Sequence, residues 1–286
     1  MDIINFNNCI KLPLELGGAL PKVAIWYDNS IYMIKEGKYK NNTYQKSYIA
    51  EYIATLLCRI IGIECQEVIL GIYDDKPVCA CKIFTSGSHK IHPYKDIRDS
   101  SLYTNIDRSG YELEEVIKVI SNYKNFSINT TEHLDRFMLM TCFDALIGNS
   151  DRHWGNWGFI GNLKDYVSLA PLYDNGNSMS SFLSEKKMKK ALNLSDEEFI
   201  IQFIKNTPIS QIKLNKERKS FYNIFKVYDF SKYIEFIQQN LKKSNIKETL
   251  TSDKLLKNLC SKIEIKFFIR YLEMRYDYFI GGKIND

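Results

Sequence analysis

The chain has 286 residues, of which 45% are hydrophobic, 13% aromatic and 26% charged. That excludes global disorder, and the length exceeds one ordinary core, so two lobes or two small domains are expected. A net charge of +5, with 39 basic against 34 acidic residues, is too mild for a nucleic-acid-binding face, and no apolar run approaches the roughly 18 to 20 residues of a membrane span.

In chain order, Met1 to Asn8 carries an acid at position 2 and lacks the basic-then-apolar layout of a secretory signal. Residues 22–36 read as a hairpin, with β-rich runs on either side of Asp28-Asn29-Ser30. Residues 43–61 read as a helix stopped by Gly62. Gln66–Tyr73 and Pro77–Phe84 read as two strands joined by Asp74-Asp75-Lys76. A small antiparallel sheet with one helix is therefore expected in the first ~85 residues. Thr85 to Pro93, rich in Ser, Gly, Pro and His, suits a hinge. The remainder reads as mostly helical. Ser109-x-x-Glu112 opens a helix over Tyr111–Tyr123, and an apolar helix runs from about Thr131 to Ile147. Ser195-x-x-Glu198 is a second capping box, and two or three helices fill Tyr228–Ile280. The fold class expected is α+β, divided at 1–85 and 86–286.

Seven cysteines, most of them in apolar stretches, suit reduced thiols in a cytosol-like compartment. Cys79-x-Cys81 reads as part of a buried strand, since no second Cys or His pair stands at zinc spacing. His89 and His92 read as solvated loop residues. Lys186-Lys187-Met188-Lys189-Lys190 reads as a solvated helix face. The excess of Lys over Arg reads as a bias of the source genome.

The densest chemistry lies in Gly148-Asn149-Ser150-Asp151-Arg152-His153-Trp154-Gly155-Asn156, between an apolar helix and an apolar pair. Such a polar loop on a rigid scaffold is where sites are built. Leu169-Ala170-Pro171-Leu172-Tyr173-Asp174 follows, a short apolar strand ending in an acid. Phosphoryl transfer needs a carboxylate at the acceptor hydroxyl, oxygen ligands for magnesium, a cation on the phosphates and backbone amides over them. Asp151, Asn156 and Asp174 meet the first two needs. Lys35 ends an apolar strand, Glu51 lies one helix later in position to pair with it, and Gly17-Gly18-Ala19-Leu20-Pro21-Lys22 is a small-residue loop before a strand. Their order is the layout of a bilobal protein-kinase-like fold, with Asp151, Asn156 and Asp174 expected to converge between the lobes.

The Asp151 segment and the Tyr173-Asp174 strand end resemble the catalytic segment of the HipA-like serine/threonine kinases, and Gly17 to Lys22 resembles that family's phosphate loop. The resemblance runs over about residues 10–280. It implies an ATP- and magnesium-dependent enzyme acting on serine or threonine of a protein, with autophosphorylation. It makes Asp151 the residue that orients or deprotonates the acceptor hydroxyl, Asn156 and Asp174 the magnesium ligands, and Lys35 a contact to the α and β phosphates. Lys82-Ile83-Phe84 becomes the hinge whose backbone reads adenine. Glu51, His153, Trp154, Gly155 and Tyr173 join the nucleotide site.

Two departures stand out. The toxin members carry an additional N-terminal domain, whereas this chain begins almost at the phosphate loop, like the short stand-alone members. The toxins also carry a phosphorylatable Ser ahead of that loop, where Glu15 stands here. Asp151-Arg152-His153-x-x-Asn156 also resembles the catalytic loop of phosphoinositide kinases, so a lipid kinase is the alternative of like chemistry; a non-catalytic nucleotide-binding module is the alternative of another class. No membrane anchor is expected, and a cytoplasmic location is, with export by a non-classical route left open. Asn175 to Ser184, rich in Gly, Asn and Ser, reads as a mobile activation segment whose serines could accept phosphate.

Overall fold

The computed structural model describes residues 3–14, 23–40, 43–85, 87–102, 111–122, 130–162 and 166–284. Glu15, the loop Gly17 to Lys22, and Ser109 of the first expected capping box lie outside them. The fold is α+β, and the chain divides into two compact units. One comprises Met1–Phe84, Asp174–Leu194 and Leu241–Tyr271; the other comprises Thr85–Tyr173, Ser195–Asn240 and Leu272–Asp286.

The first unit holds six strands: β1 (Ile4–Asn5), β2 (Ile10–Leu12), β3 (Val23–Tyr27), β4 (Ser30–Glu36), β5 (Val68–Tyr73) and β6 (Lys76–Lys82). They form one sheet in the order β1-β5-β6-β4-β3-β2. Its ladders are antiparallel except β1 with β5, a parallel pairing that departs from the expected sheet. Two tight turns set the register. Asp28 and Asn29 take φ of 44° and 56°, and Asp74 and Asp75 take 47° and 59°. Asp and Asn tolerate this left-handed backbone, whose twist matches the flanking strands.

Side chains alternate along β4. Tyr32 and Ile34 face a core with Phe6, Ile25, Val78 and Ala80. The intervening Lys35 faces the other way, toward helix α1 (Ser47–Ile61), which packs on β4, β5 and β6. Gly62 closes α1 at φ 82°, its N–H reaching the Cys58 carbonyl at 2.9 Å, the left-handed end that glycine favours.

The second unit is organised around α2 (Thr130–Ile147), whose last eight residues, Met140 to Ile147, are all buried. Beneath the loop that follows, Tyr94 stacks on Trp157 with centroids 4.2 Å apart, and Phe137 lies 4.7 Å from the same indole. A three-stranded sheet pairs Gly158–Gly161 with Tyr166–Leu169 on one side and Lys90–Pro93 on the other.

Several expectations are corrected. The first helix begins at Ser47, because Thr43–Gln45 pairs as a strand with Lys38–Lys40. Lys90–Pro93 is a strand, so His92 is no loop residue, although His89 is exposed. Tyr111–Glu112 is a strand parallel to Ile209–Leu214, and the helix starts at Leu113. Four helices, Ser231–Asn240, Lys243–Ser252, Lys254–Leu259 and Lys262–Arg275, occupy the stretch where two or three were expected. The second capping box forms as read, with Glu198 N–H donating to Ser195 Oγ and Ser195 N–H to Glu198 Oε2. Lys186, Lys187, Lys189 and Lys190 are exposed on a helix that buries Met188. Cys79 and Cys81 are buried in β6 with their sulfurs 3.9 Å apart, and all seven cysteines are free thiols. Among the described residues no helix is long and apolar enough to cross a membrane.

Candidate active site

The candidate residues fall into two groups, one in each unit. In the first unit, the pleat of β4 and the second turn of α1 aim Lys35 and Glu51 at each other, and Lys35 Nζ lies 2.6 Å from Glu51 Oε1. The same ammonium lies 3.0 Å from Asp174 Oδ1. Glu51 is 2% exposed, so its charge needs partners. Lys35 supplies one and the backbone N–H of Asn175 the other, donating to Oε2 at 2.7 Å. Burial alone would lower the Lys35 pKa, but the Glu51 carboxylate, aided by Asp174, outweighs it and holds the ammonium well above its ordinary range. Asp174 takes φ 58°, a left-handed backbone that turns the chain at this point.

The segment after Asp174 is anchored rather than loose. Ser178 and Ser181 are 0% and 3% exposed, and their hydroxyls donate to the carbonyls of Asn175 and Gly176. The expected segment of accessible serines is therefore corrected at these two positions, where burial removes the hydroxyls from solvent, while Phe182 is exposed. Gly176 sits so close to α1 that a Cβ there would come within 3.1 Å of the Ser47 carbonyl and 3.3 Å of Glu51 Cγ.

At the strand end Lys82-Ile83-Phe84, the Lys82 and Ile83 amides donate to the carbonyls of Glu67 and Ile31, and the Lys82 carbonyl accepts from Gln66 Nε2.

In the second unit, Gly148 ends α2 at φ 65° and releases the loop. Buried Asn149 closes an Asx turn, its Oδ1 accepting the N–H of Asp151 at 3.0 Å. The Asp151 carbonyl accepts from the His153 N–H and from Asn156 Nδ2, at 2.7 and 2.9 Å. His153 Nδ1 accepts the Gly155 N–H at 2.9 Å. Trp154 lies under the guanidinium of buried Arg98, 3.8 Å from the ring centroid. Tyr173 donates its hydroxyl to the Gly155 carbonyl at 3.2 Å. Asp151 and Asn156 thus share one tight loop, as their spacing implied.

Sequence reasoning missed the group beneath that loop. Asp144, 2% exposed on α2, accepts from Arg152 Nε and Nη2 at 2.9 and 3.0 Å and from Asn149 Nδ2 at 3.1 Å. Arg152 Nη1 donates to the carbonyls of Asn156 and Tyr173 at 2.8 and 2.5 Å. An acid inside Cys142-Phe143-Asp144-Ala145-Leu146-Ile147 was a usable signal, because a carboxylate in an apolar run requires a partner.

Taken separately, the Asp174 carboxylate has only oxygens to offer a cation, and Asn156 has only its Oδ1, since Asn156 Nδ2 is given to the Asp151 carbonyl. Among the described residues no group of three or more His, Cys, Asp or Glu is arranged to hold a metal by itself. Magnesium keeps waters and phosphate oxygens among its ligands and needs no such cage.

Known proteins resemble this chain in sequence and in fold. The family model of the HipA-like C-terminal domain matches residues 14–244. The serine/threonine-protein kinase CtkA of Helicobacter pylori is 30% identical over 247 residues, covering 80% of this chain and 70% of CtkA. The crystal structure of a Helicobacter pylori proinflammatory kinase CtkA superposes with a TM-score of 0.84 at 24% identity, over 99% of this chain and 98% of that one. HipA, in its complex with HipB and operator DNA from Shewanella oneidensis MR-1, gives a TM-score of 0.57 at 12% identity, over 94% of this chain and 65% of that one. By sequence and by fold, this chain belongs to the HipA-like family.

Proposed function

We propose that the protein is a bilobal kinase that transfers the γ-phosphate of ATP to serine or threonine of a protein. The observation that carries this reading is Lys35 held between Glu51 and Asp174, at 2.6 and 3.0 Å. A cation fixed by a helix Glu beside an acid of the metal site is what a nucleotide triphosphate requires.

In this reading Lys35 binds the α and β phosphates, with Glu51 fixing its ammonium. Asp151 orients the acceptor hydroxyl and takes its proton. Asn156 and Asp174 hold magnesium, which when bound neutralises charge on the phosphates. Residues 17–22 cover the phosphates, and His153, Trp154, Gly155 and Tyr173 flank the nucleotide. The strand end Lys82-Ile83-Phe84 reads adenine through its backbone.

The test is incubation with γ-labelled ATP, magnesium and a cell lysate, followed by phosphoamino-acid analysis of labelled bands. Label on serine or threonine is expected. Label confined to extracted lipid would favour the lipid-kinase alternative. Nucleotide binding with no turnover in any fraction would leave a non-catalytic module.

A further inference from the structure

We infer that Asp144 and Arg152 are positioning residues that set the proposed catalytic loop and the approach to Asp174 from one buried carboxylate. This rests on the kinase reading above. Two arms leave Asp144. One runs through Asn149, whose Nδ2 donates to Asp144 Oδ1 and whose Oδ1 holds the Asp151 N–H. The other runs through Arg152, which grips the carboxylate with Nε and Nη2 and uses Nη1 for the carbonyls of Asn156 and Tyr173. The chain passes from Tyr173 directly into Asp174. The backbone at Asp151, at Asn156 and just before Asp174 is thereby referred to one group on α2.

Stability alone does not account for this pair. Burying two charges carries a desolvation penalty that their attraction often fails to repay, and apolar replacements of similar volume are commonly neutral or stabilising. What an apolar pair cannot do is donate to two carbonyls. Only the planar fork of arginine meets a carboxylate with two nitrogens while a third serves two other acceptors; a lysine ammonium on a flexible stem does not. The pair has little room to relax. The void beside it, bordered by Tyr111, Thr141 and Gln211, is about 10 Å³, the space of one water. Tyr111 and Gln211 also clamp the loop backbone, donating to the carbonyls of Arg152 and Ser150 at 2.9 Å each.

The test uses the full chain and three variants: Arg152→Lys, Asp144→Asn and the double variant Asp144→Leu/Arg152→Met. Thermal melting, ATP affinity, kcat and KM for ATP at saturating magnesium are measured for each. The double variant is expected to fold but to melt below the wild type, because the Asn156 and Tyr173 carbonyls and Asn149 Nδ2 lose their partners, while kcat falls about 10²-fold or more, as misplacement by about 1 Å does. Melting and kcat both at wild-type level would overturn the inference. If the double variant does not fold, Arg152→Lys decides: a folded protein with lowered kcat supports positioning, and wild-type kcat overturns it. If the wild type itself transfers no phosphate, the kinase reading fails, and amide exchange judges the pair separately. Faster exchange in Arg152→Lys confined to residues 149–157 and 173–174 supports the anchoring role, and unchanged exchange refutes it.

Discussion

Glu51 divides its carboxylate between two tasks: Oε1 takes Lys35 at 2.6 Å and Oε2 takes the Asn175 N–H at 2.7 Å. One side chain on α1 therefore holds both a strand cation and the residue after Asp174. Glu51→Gln keeps the shape and removes the charge. It is expected to cost about 2 kcal/mol of stability, since two charge-assisted bonds weaken, and to lower phosphate transfer at least tenfold. Urea unfolding with parallel turnover measurements checks both; unchanged values in each would disconnect Glu51 from the site.

The raised pKa of Lys35 fixes a pH dependence. A raised folded pKa contributes stability fully present below the unfolded value, near ~10.4, and lost as pH rises through the folded value. Lys35→Met removes this contribution. Wild type minus variant stability is expected to be constant from about pH 6 to pH 9 and to shrink above about pH 10.4. A difference that shrinks in the neutral range contradicts the assignment.

His133 gives the opposite sign. It is 3% exposed on α2, edge-on to Phe159 with centroids 5.3 Å apart. Burial first, with Arg136 assisting, lowers its pKa against the pull of Glu132. The unfolded chain then binds a proton the native state refuses, so stability falls as pH drops below about 6.5 toward the lowered value. His133→Phe is expected to flatten the melting temperature across that window; an undiminished slope would place the titrating group elsewhere.

Asp151→Asn is expected to leave melting and ATP binding intact, because the bonds made by the Asp151 N–H and carbonyl, which close the loop on Asn149 and Asn156, survive the change. Phosphate transfer should drop about 10²- to 10⁴-fold. Near wild-type transfer would assign the acceptor chemistry to another residue.

Chelation offers a separate check. If Asn156 and Asp174 hold the metal as proposed, through oxygen alone, excess EDTA should abolish transfer, magnesium or manganese should restore it, and zinc should not. Undiminished transfer in EDTA would remove the metal from the reading.

What was legible in the sequence was local. Both two-residue turns, the Gly62 stop, the apolar helix ending at Ile147 and the Ser195 capping box rest on neighbours within a few positions. Contacts that cross long stretches were not. Lys90–Pro93 looked like a hinge because the strand that pairs with it, Gly158–Gly161, lies far along the chain. Thr43–Gln45 followed the helical period yet pairs with Lys38–Lys40. Ser178 and Ser181 have turn composition, and only tertiary packing buries them. The Lys35–Glu51 pairing was foreseen because a strand and the next helix limit where each side chain points, whereas Asp144 and Arg152 meet through a loop whose path has no period.

The close approach of Gly176 to Ser47 and Glu51 makes α1 and the start of the segment after Asp174 a single lever. Neither can pivot without carrying the other, since there is no side-chain volume between them to absorb a shift. The outer side of that lever is also tied down, with the Tyr52 hydroxyl 2.9 Å from Asp253 Oδ2 and Lys46 2.8 Å from Glu264 Oε2. The helix that carries Glu51 is thus held on two sides, at Lys35, Asn175 and Gly176 on one and at Asp253 and Glu264 on the other.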